Sequence, residues 1–229
     1  MAGLDLIIFD CDGVLVDSEI IAAQVESRLL SENGYPIEAA ALAERFAGLT
    51  WKDILLAVEK EAGIPIQASL LDKSERILDE KLARDVRAIE GVARAVSRIA
   101  LPRCICSNSS SRRLEAMLKR ARLYEIFAPN IFSAKDLPSG RTKPAPDIFL
   151  HACEAMKAEA GRTIVVEDSV HGVQGARAAG MRVIGFTGGA HSWRSHADHL
   201  TEAGAETVIN RMRDLPPIVE ALANWSEAV

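Results

Sequence analysis

An α/β fold, a parallel sheet with a block of helices inserted after its first strand, is predicted by three features of the sequence. Six short apolar segments recur along the chain. They are near-continuous β-branched runs rather than alternating ones, as strands covered on both faces are in a parallel sheet. Residues 18–88 interrupt the series with helical periodicity alone.

The strands are expected at LDLIIFD (4–10), RCICSN (103–108), NIFSA (130–134), TIVVED (163–168), RVIGFT (182–187) and ETVIN (206–210). Between them, 111–123, 146–158, 171–181 and 216–225 carry apolar residues at three-to-four spacing and predict helices laid on the sheet. The inserted segments EIIAAQVESRLLSENG, TWKDILLAVEKEAG and ASLLDKSERILDEKLARDV are also helical in period, with turns at Gly34-Tyr35-Pro36 and Gly63-Ile64-Pro65. A Rossmann-like core is therefore expected at 1–16 and 89–229, with a helical cap domain at 17–88.

With 229 residues, 48% of them hydrophobic, the chain has ample material for a buried core. A formal net charge of -5 argues against a nucleic-acid partner, which needs a basic face to displace counterions. No stretch nears the roughly 20 apolar residues that span a bilayer, and MAGLDLIIFD lacks the basic start of a leader. A cytoplasmic protein, monomeric or weakly dimeric, is expected. Cys11, Cys104, Cys106 and Cys153 form no CxxC pair and are expected to pack as small hydrophobes, Cys104 and Cys106 on one face of a strand.

Open parallel sheets bind ligands beyond the carboxyl ends of their strands. At those ends stand Asp10 and Asp12, then Ser107 and Asn108, then Glu167 and Asp168, while Lys143 lies in the loop GRTKPAPD. Asp10, Asp12 and Asp168 offer the hard oxygen ligands that magnesium prefers. Ser107, Asn108 and Lys143 can hydrogen-bond and neutralise phosphate oxygens, so the rim suits a small phosphorylated metabolite.

These motifs carry a family resemblance. DCDGVLVDS resembles the DxDx[TV] motif of the haloacid dehalogenase-like (HAD) superfamily, and ICSNSS, KPAPD and VVEDSVHGVQGARAAGM are similar to its second, third and fourth motifs, in order. The resemblance implies a phosphatase in which Asp10 is the nucleophile and Asp12 the general acid and base. It implies magnesium on Asp10, Asp168 and the Asp12 carbonyl, with Glu167 as an outer or alternate ligand, and phosphate held by Ser107, Asn108 and Lys143.

DGVLVDSE and RFAGLTWKDI are most similar to the β-phosphoglucomutase-like branch. In that branch a mutase carries a cap histidine and an arginine where this chain has Ala22 and Trp51. Hydrolysis is therefore the expected reaction, with a sugar-phosphate mutase as the alternative and a non-enzymatic phosphate-binding module as a weaker one. Glu19, Arg45, Thr50, Trp51 and Lys52 are the cap residues expected to face the substrate, Trp51 offering a flat surface to a sugar. Asp17 is expected to cap a helix or hold the hinge. His191, His196 and His199, in the polar stretch GAHSWRSHADH, are expected to be solvated or capping, and GFTGGA to be only a loop.

Overall fold

A computed structural model describes residues 3–46, 49–63 and 69–225, apart from the side chains of Ser69 and Trp225. The turn expected at Gly63-Ile64-Pro65 and the Ala47-Gly48 step of RFAGLTWKDI fall partly or wholly outside them. Strand β1 (Leu6–Phe9) is followed by α1 (Glu19–Glu32), α2 (Ala39–Arg45), α3 (Trp51–Ala62) and α4 (Ser69–Asp85), then α5 (Val92–Ser97). The alternating part comprises β2 (Arg103–Ser107), α6 (Ser111–Arg120), α7 (Tyr124–Phe127), β3 (Ile131–Ser133), α8 (Asp147–Met156), β4 (Thr163–Glu167), α9 (Val170–Ala178), β5 (Arg182–Phe186), α10 (His196–Glu202), β6 (Thr207–Ile209) and α11 (Leu215–Trp225).

The six strands form one sheet in the order β3-β2-β1-β4-β5-β6, and every pair is parallel. The order reverses at β1/β4, which places a crevice at the carboxyl ends of these two strands. Both faces are covered. Ile7 and Phe9 join the apolar cluster on one side, whereas Leu6 and Ile8 join the cluster on the other, which also holds Cys104 and Cys106. This two-sided burial is the physical reason that the runs do not alternate. All four cysteines are free and buried.

The helices between β1 and α5 bury a cluster of their own around Val25, Leu29, Leu42, Phe46, Ile54 and Val58. The chain passes between them and the sheet twice, and the two passages lie side by side. Asp17 N donates to Arg87 O at 3.0 Å and Ile89 N to Leu15 O at 3.0 Å, with a Val16–Ala88 bridge between them. Farther out, Arg113 of α6 pairs with Glu75 and, at 2.6 Å, with Asp79 of α4.

Two elements differ from expectation. Helix α2 falls between the segments expected to be helical, and α10 begins within GAHSWRSHADH and buries His196 and Leu200. Among the described residues, no helix is long and apolar enough to cross a membrane.

Candidate active site

Backbone pairing sets the first part of the site. Asp10 N donates to Val166 O at 3.0 Å, so the chain leaves β1 still in register with β4 and delivers Asp10 beside Glu167 and Asp168. One carboxylate oxygen from each of these three buried acids lies within 4.8 Å of the others. Lys143 Nζ sits among them, at 2.6 Å from Asp10 Oδ1, 2.5 Å from Glu167 Oε1 and 2.8 Å from the Cys106 carbonyl. Its loop is clipped to β2 by Asn108, whose Oδ1 accepts from Lys143 N at 2.9 Å.

One lysine does not balance three carboxylates. Burial pushes Asp10 well above its ordinary value, Lys143 pulls it back, and Glu167, Asp168 and Asp12 push it up again. Glu167 is likewise raised, first by burial, against the pull of Lys143. Burial alone would lower Lys143, but Asp10 and Glu167 overturn this and hold it above its usual range, fully charged. The surplus negative charge suits a divalent cation, and the hard carboxylate set suits magnesium.

The Glu167 carboxylate is the least available of the three. Its second oxygen accepts from Ser169 N at 3.2 Å and Ser169 Oγ at 3.0 Å, and it rests on Gly172, where an added Cβ would fall 2.0 Å from it. Asp168 remains more open, bonded through Oδ2 to His191 Nε2 at 3.0 Å. Gly13, at φ +71°, admits this arrangement because a Cβ there would stand 1.8 Å from Asp168 Oδ2.

Asp12 points to a different set of partners. Ser18 Oγ donates to it at 2.8 Å, Ser109 Oγ at 2.9 Å and Ser107 Oγ at 3.1 Å. The two motif aspartates thus occupy distinct environments, one ionic and deeply buried, the other ringed by hydroxyls. Asp17 neither caps α1 nor reaches the metal cluster. Its Oδ1 accepts from Ala190 N at 3.0 Å, tying the first passage to the loop after β5.

A cavity of about 470 Å³ opens above these groups, walled by Asp10, Asp12, Ser107, Asn108, Lys143 and Asp168 together with residues of the helical insertion. Of the expected cap residues, Glu19 and Thr50 line it. Arg45, Trp51 and Lys52 do not. Arg45 is bound instead to Glu61 of α3 at 2.5 Å and to Tyr35, in the turn before α2, at 2.7 Å. Trp51 packs against the insertion's own apolar cluster, and Lys52 is exposed on α3.

The histidine-rich stretch corrects the sequence reading more sharply. His191, Trp193, His196 and His199 all border the cavity, and His196 is only 2% exposed, with Nε2 2.6 Å from the Asp168 carbonyl. Burial lowers its proton affinity. Burial alone would lower His191, but the bond to Asp168 together with the charges of Asp168, Glu19 and Asp17 raises it. The strand-end rule, applied to β5 as it was to β1, β2 and β4, would have found this loop. GFTGGA was its marker, since a Cβ at Gly189 would stand 2.7 Å from His191. Ser18 and Ser109, beside motif residues in sequence, were also passed over.

Two acids of α1 have an electrostatic consequence. Burial, then Asp12 and Asp168, raise Glu19 to about 7, and burial, then Glu19, raise Glu26 to about 8, against an ordinary 4.5. A carboxyl raised on folding contributes stability that is complete below its unfolded value and is lost as pH rises through its folded value. Glu26→Gln should therefore gain in Tm relative to the wild type between about pH 5 and about pH 9. A Tm difference that stays flat over that range would contradict the assignment.

The chain belongs to the haloacid dehalogenase-like hydrolases, whose family model matches residues 4–180. It is 30% identical over 196 residues to the 6-phosphogluconate phosphatase of Escherichia coli, covering 84% of this chain and 86% of that one. A haloacid dehalogenase-like protein of unknown function from Agrobacterium tumefaciens superposes with a TM-score of 0.93 at 66% identity, covering 96% of this chain and all of the other. A HAD family hydrolase from Deinococcus radiodurans, solved with bound phosphate and sodium, gives 0.83 at 31% identity over 97% and 98% of the two chains.

Proposed function

We propose that this protein is a magnesium-dependent phosphatase of small phosphate monoesters, sugar phosphates first, acting through an aspartyl phosphate on Asp10. The observation that carries the reading is the buried cluster of Asp10, Glu167 and Asp168, with Lys143 bridging Asp10 and Glu167 and a second motif aspartate in a separate polar setting.

In this reading a carboxylate oxygen of Asp10 attacks phosphorus, and the leaving oxygen takes a proton from Asp12. Asp12 then accepts a proton from water as the water oxygen attacks phosphorus, releasing phosphate and restoring Asp10. To do so the Asp12 carboxyl group turns away from Ser18, Ser107 and Ser109, and it enters each turnover with the proton it took from water in the one before. Lys143 neutralises the phosphoryl group while keeping Asp10 in place, and Glu167 orients Lys143. Ser107 offers a hydroxyl to phosphate once Asp12 moves, and Asn108 holds the Lys143 loop.

Asp10, Asp168 and the Asp12 carbonyl would hold magnesium, with Glu167 behind Lys143. When bound, the ion supplies positive charge for the phosphate and the developing transition-state charge. The helical insertion acts as a cap over residues 17–88, and the paired passages at Val16 and Ala88 serve as its hinge. A cytoplasmic site of action, without nucleic-acid or membrane partners and as a monomer or weak dimer, fits four buried free thiols.

Mutase chemistry would need a free cation for a second phosphate. Arg113 is engaged by Glu75 and Asp79, and Arg45 by Glu61, which favours hydrolysis. The test is phosphate release from a panel of phosphate esters with and without magnesium. Saturating magnesium should also raise Tm by about 5 °C, from roughly 2.7 kcal/mol of linkage at a hundredfold excess over Kd. Asp168→Asn should remove that rise. Undiminished turnover after exhaustive chelation would overturn the magnesium requirement.

A further inference from the structure

Behind the catalytic cavity lies a smaller chamber of about 120 Å³ that shares Glu19, Ala22, Leu49, His191 and Trp193 with it. We infer that this chamber selects the leaving group, with Trp193 as the specificity-determining residue. The indole stacks on a neutral polyhydroxylated ring whose hydroxyls are accepted by Glu19 and Glu26, and a leaving group bearing a second anionic charge is disfavoured. The inference rests on the phosphatase reading above and deepens it.

Trp193 is held ready for such a contact. Its ring lies parallel to His196, 4.0 Å between centroids at 10°, and borders both cavities. His196 is fixed in turn by the Asp168 carbonyl at 2.6 Å and by Ser192 Oγ at 3.1 Å. The indole is thus registered to the catalytic edge through one buried side chain, and an aromatic plane placed in advance loses little freedom when a sugar face covers it.

The polar part of the chamber completes the chemistry. Glu19 and Glu26 stand two turns apart on one face of α1, with the small side chains of Ala22 and Ala23 between them. Neither acid has a hydrogen bond or ion pair among the described residues, and no lysine or arginine lines the chamber there. A carboxyl group hydrogen-bonds sugar hydroxyls whether or not it carries its proton, whereas a second carboxylate or phosphate would enter the chamber without a lysine or arginine to pair with. The cations that border the cavities are already committed, Lys143 to Asp10 and Glu167, Arg113 to Glu75 and Asp79, and His191, where protonated, to Asp168.

The experiment compares kcat and KM for glucose 6-phosphate, 6-phosphogluconate and glycerol 3-phosphate in the wild type, Trp193→Ala, Trp193→Phe and Glu26→Gln. The wild type should favour the glucose ester over the gluconate ester by about tenfold or more in kcat/KM. Trp193→Ala should raise KM for the glucose ester by about 5- to 10-fold while moving that for the ringless glycerol ester less than about twofold, and Trp193→Phe should recover most of the loss. Because burial holds Glu26 neutral until about pH 8, Glu26→Gln should narrow the discrimination against 6-phosphogluconate at about pH 9 and leave it unchanged at about pH 6. A wild type that prefers 6-phosphogluconate, or a Trp193→Ala loss equal on all three esters, overturns the inference.

Saturation-transfer NMR with free glucose and free gluconate tests the chamber without turnover. Glucose should bind the wild type in preference to gluconate, and the signal should vanish in Trp193→Ala. Equal binding of gluconate, or a signal that survives Trp193→Ala, overturns it. Hydrolysis of p-nitrophenyl phosphate reports separately on the phosphatase reading, so the two can fail independently.

Discussion

Asp10→Asn should lose phosphate release by about 10⁴-fold or more in kcat, because loss of a covalent nucleophile removes a route that binding alone does not replace. The fold should survive. Asparagine keeps an oxygen to accept from Lys143 Nζ, now 2.6 Å from Asp10 Oδ1, and it removes one of three carboxylates crowded within 4.8 Å. Tm is expected to stay within about 5 °C of the wild type, or to rise, since less buried charge is left uncompensated. Phosphate release and a melting curve on the same preparation test both halves. A variant that keeps more than about one part in a hundred of the wild-type kcat would remove Asp10 from the covalent role.

Lys143→Met should do the opposite to the fold. The methionine fills much of the space, but Asp10 and Glu167 are left buried without their shared cation. Breaking a buried ion pair in this way costs about 3 to 5 kcal/mol, or a fall of about 6 to 15 °C in Tm for a chain of this size. The loss should depend on pH in a particular sense. Lys143 is the cation that lowers both carboxyls, so without it their folded-state affinities for protons rise further. The penalty should therefore be small below the ordinary carboxylate range near about pH 4 and grow as pH rises above it. Activity should fall as well, because Lys143 is, among the described residues, the one cation seated against Asp10. A Tm deficit that is constant with pH would mean that lost packing, rather than unpaired charge, destabilises the variant.

The sequence carried the fold because its local signals and its global arrangement agree. The Ile- and Val-rich runs at Leu6–Phe9 and Thr163–Glu167 are buried on both faces, and that burial is written in composition alone. The residues brought to the catalytic edge were legible for the same reason. Asp10, Ser107, Glu167 and Asp168 each stand at or one residue beyond a strand end, so knowing the strand meant knowing where the residue would lie.

Residues that reach the site by other routes were not legible in this way. Lys143 was found through its proline-bounded loop, but that its charge would be divided between Asp10 and Glu167 is a matter of angstroms set by three separate segments. Asp12 was read as a magnesium ligand through its carbonyl and as acid and base through its carboxyl group, but that three serine hydroxyls from two segments would gather on that carboxyl group was not legible.

The insertion shows the limit most clearly. Trp51 and Trp193 are equally visible as letters, and the sequence favoured Trp51 because it belongs to a motif-like segment of the cap. Helix α3 turns Trp51 into the insertion's own core, while the β5 loop folds back and stacks Trp193 on His196 beside Asp168. What the sequence by itself determined was the α/β class, the strand positions and the acids at their ends, since periodicity and strand polarity are properties of short segments. Which aromatic and histidine side chains wall the cavity was decided only by tertiary structure, because that depends on the packing of segments distant in the chain.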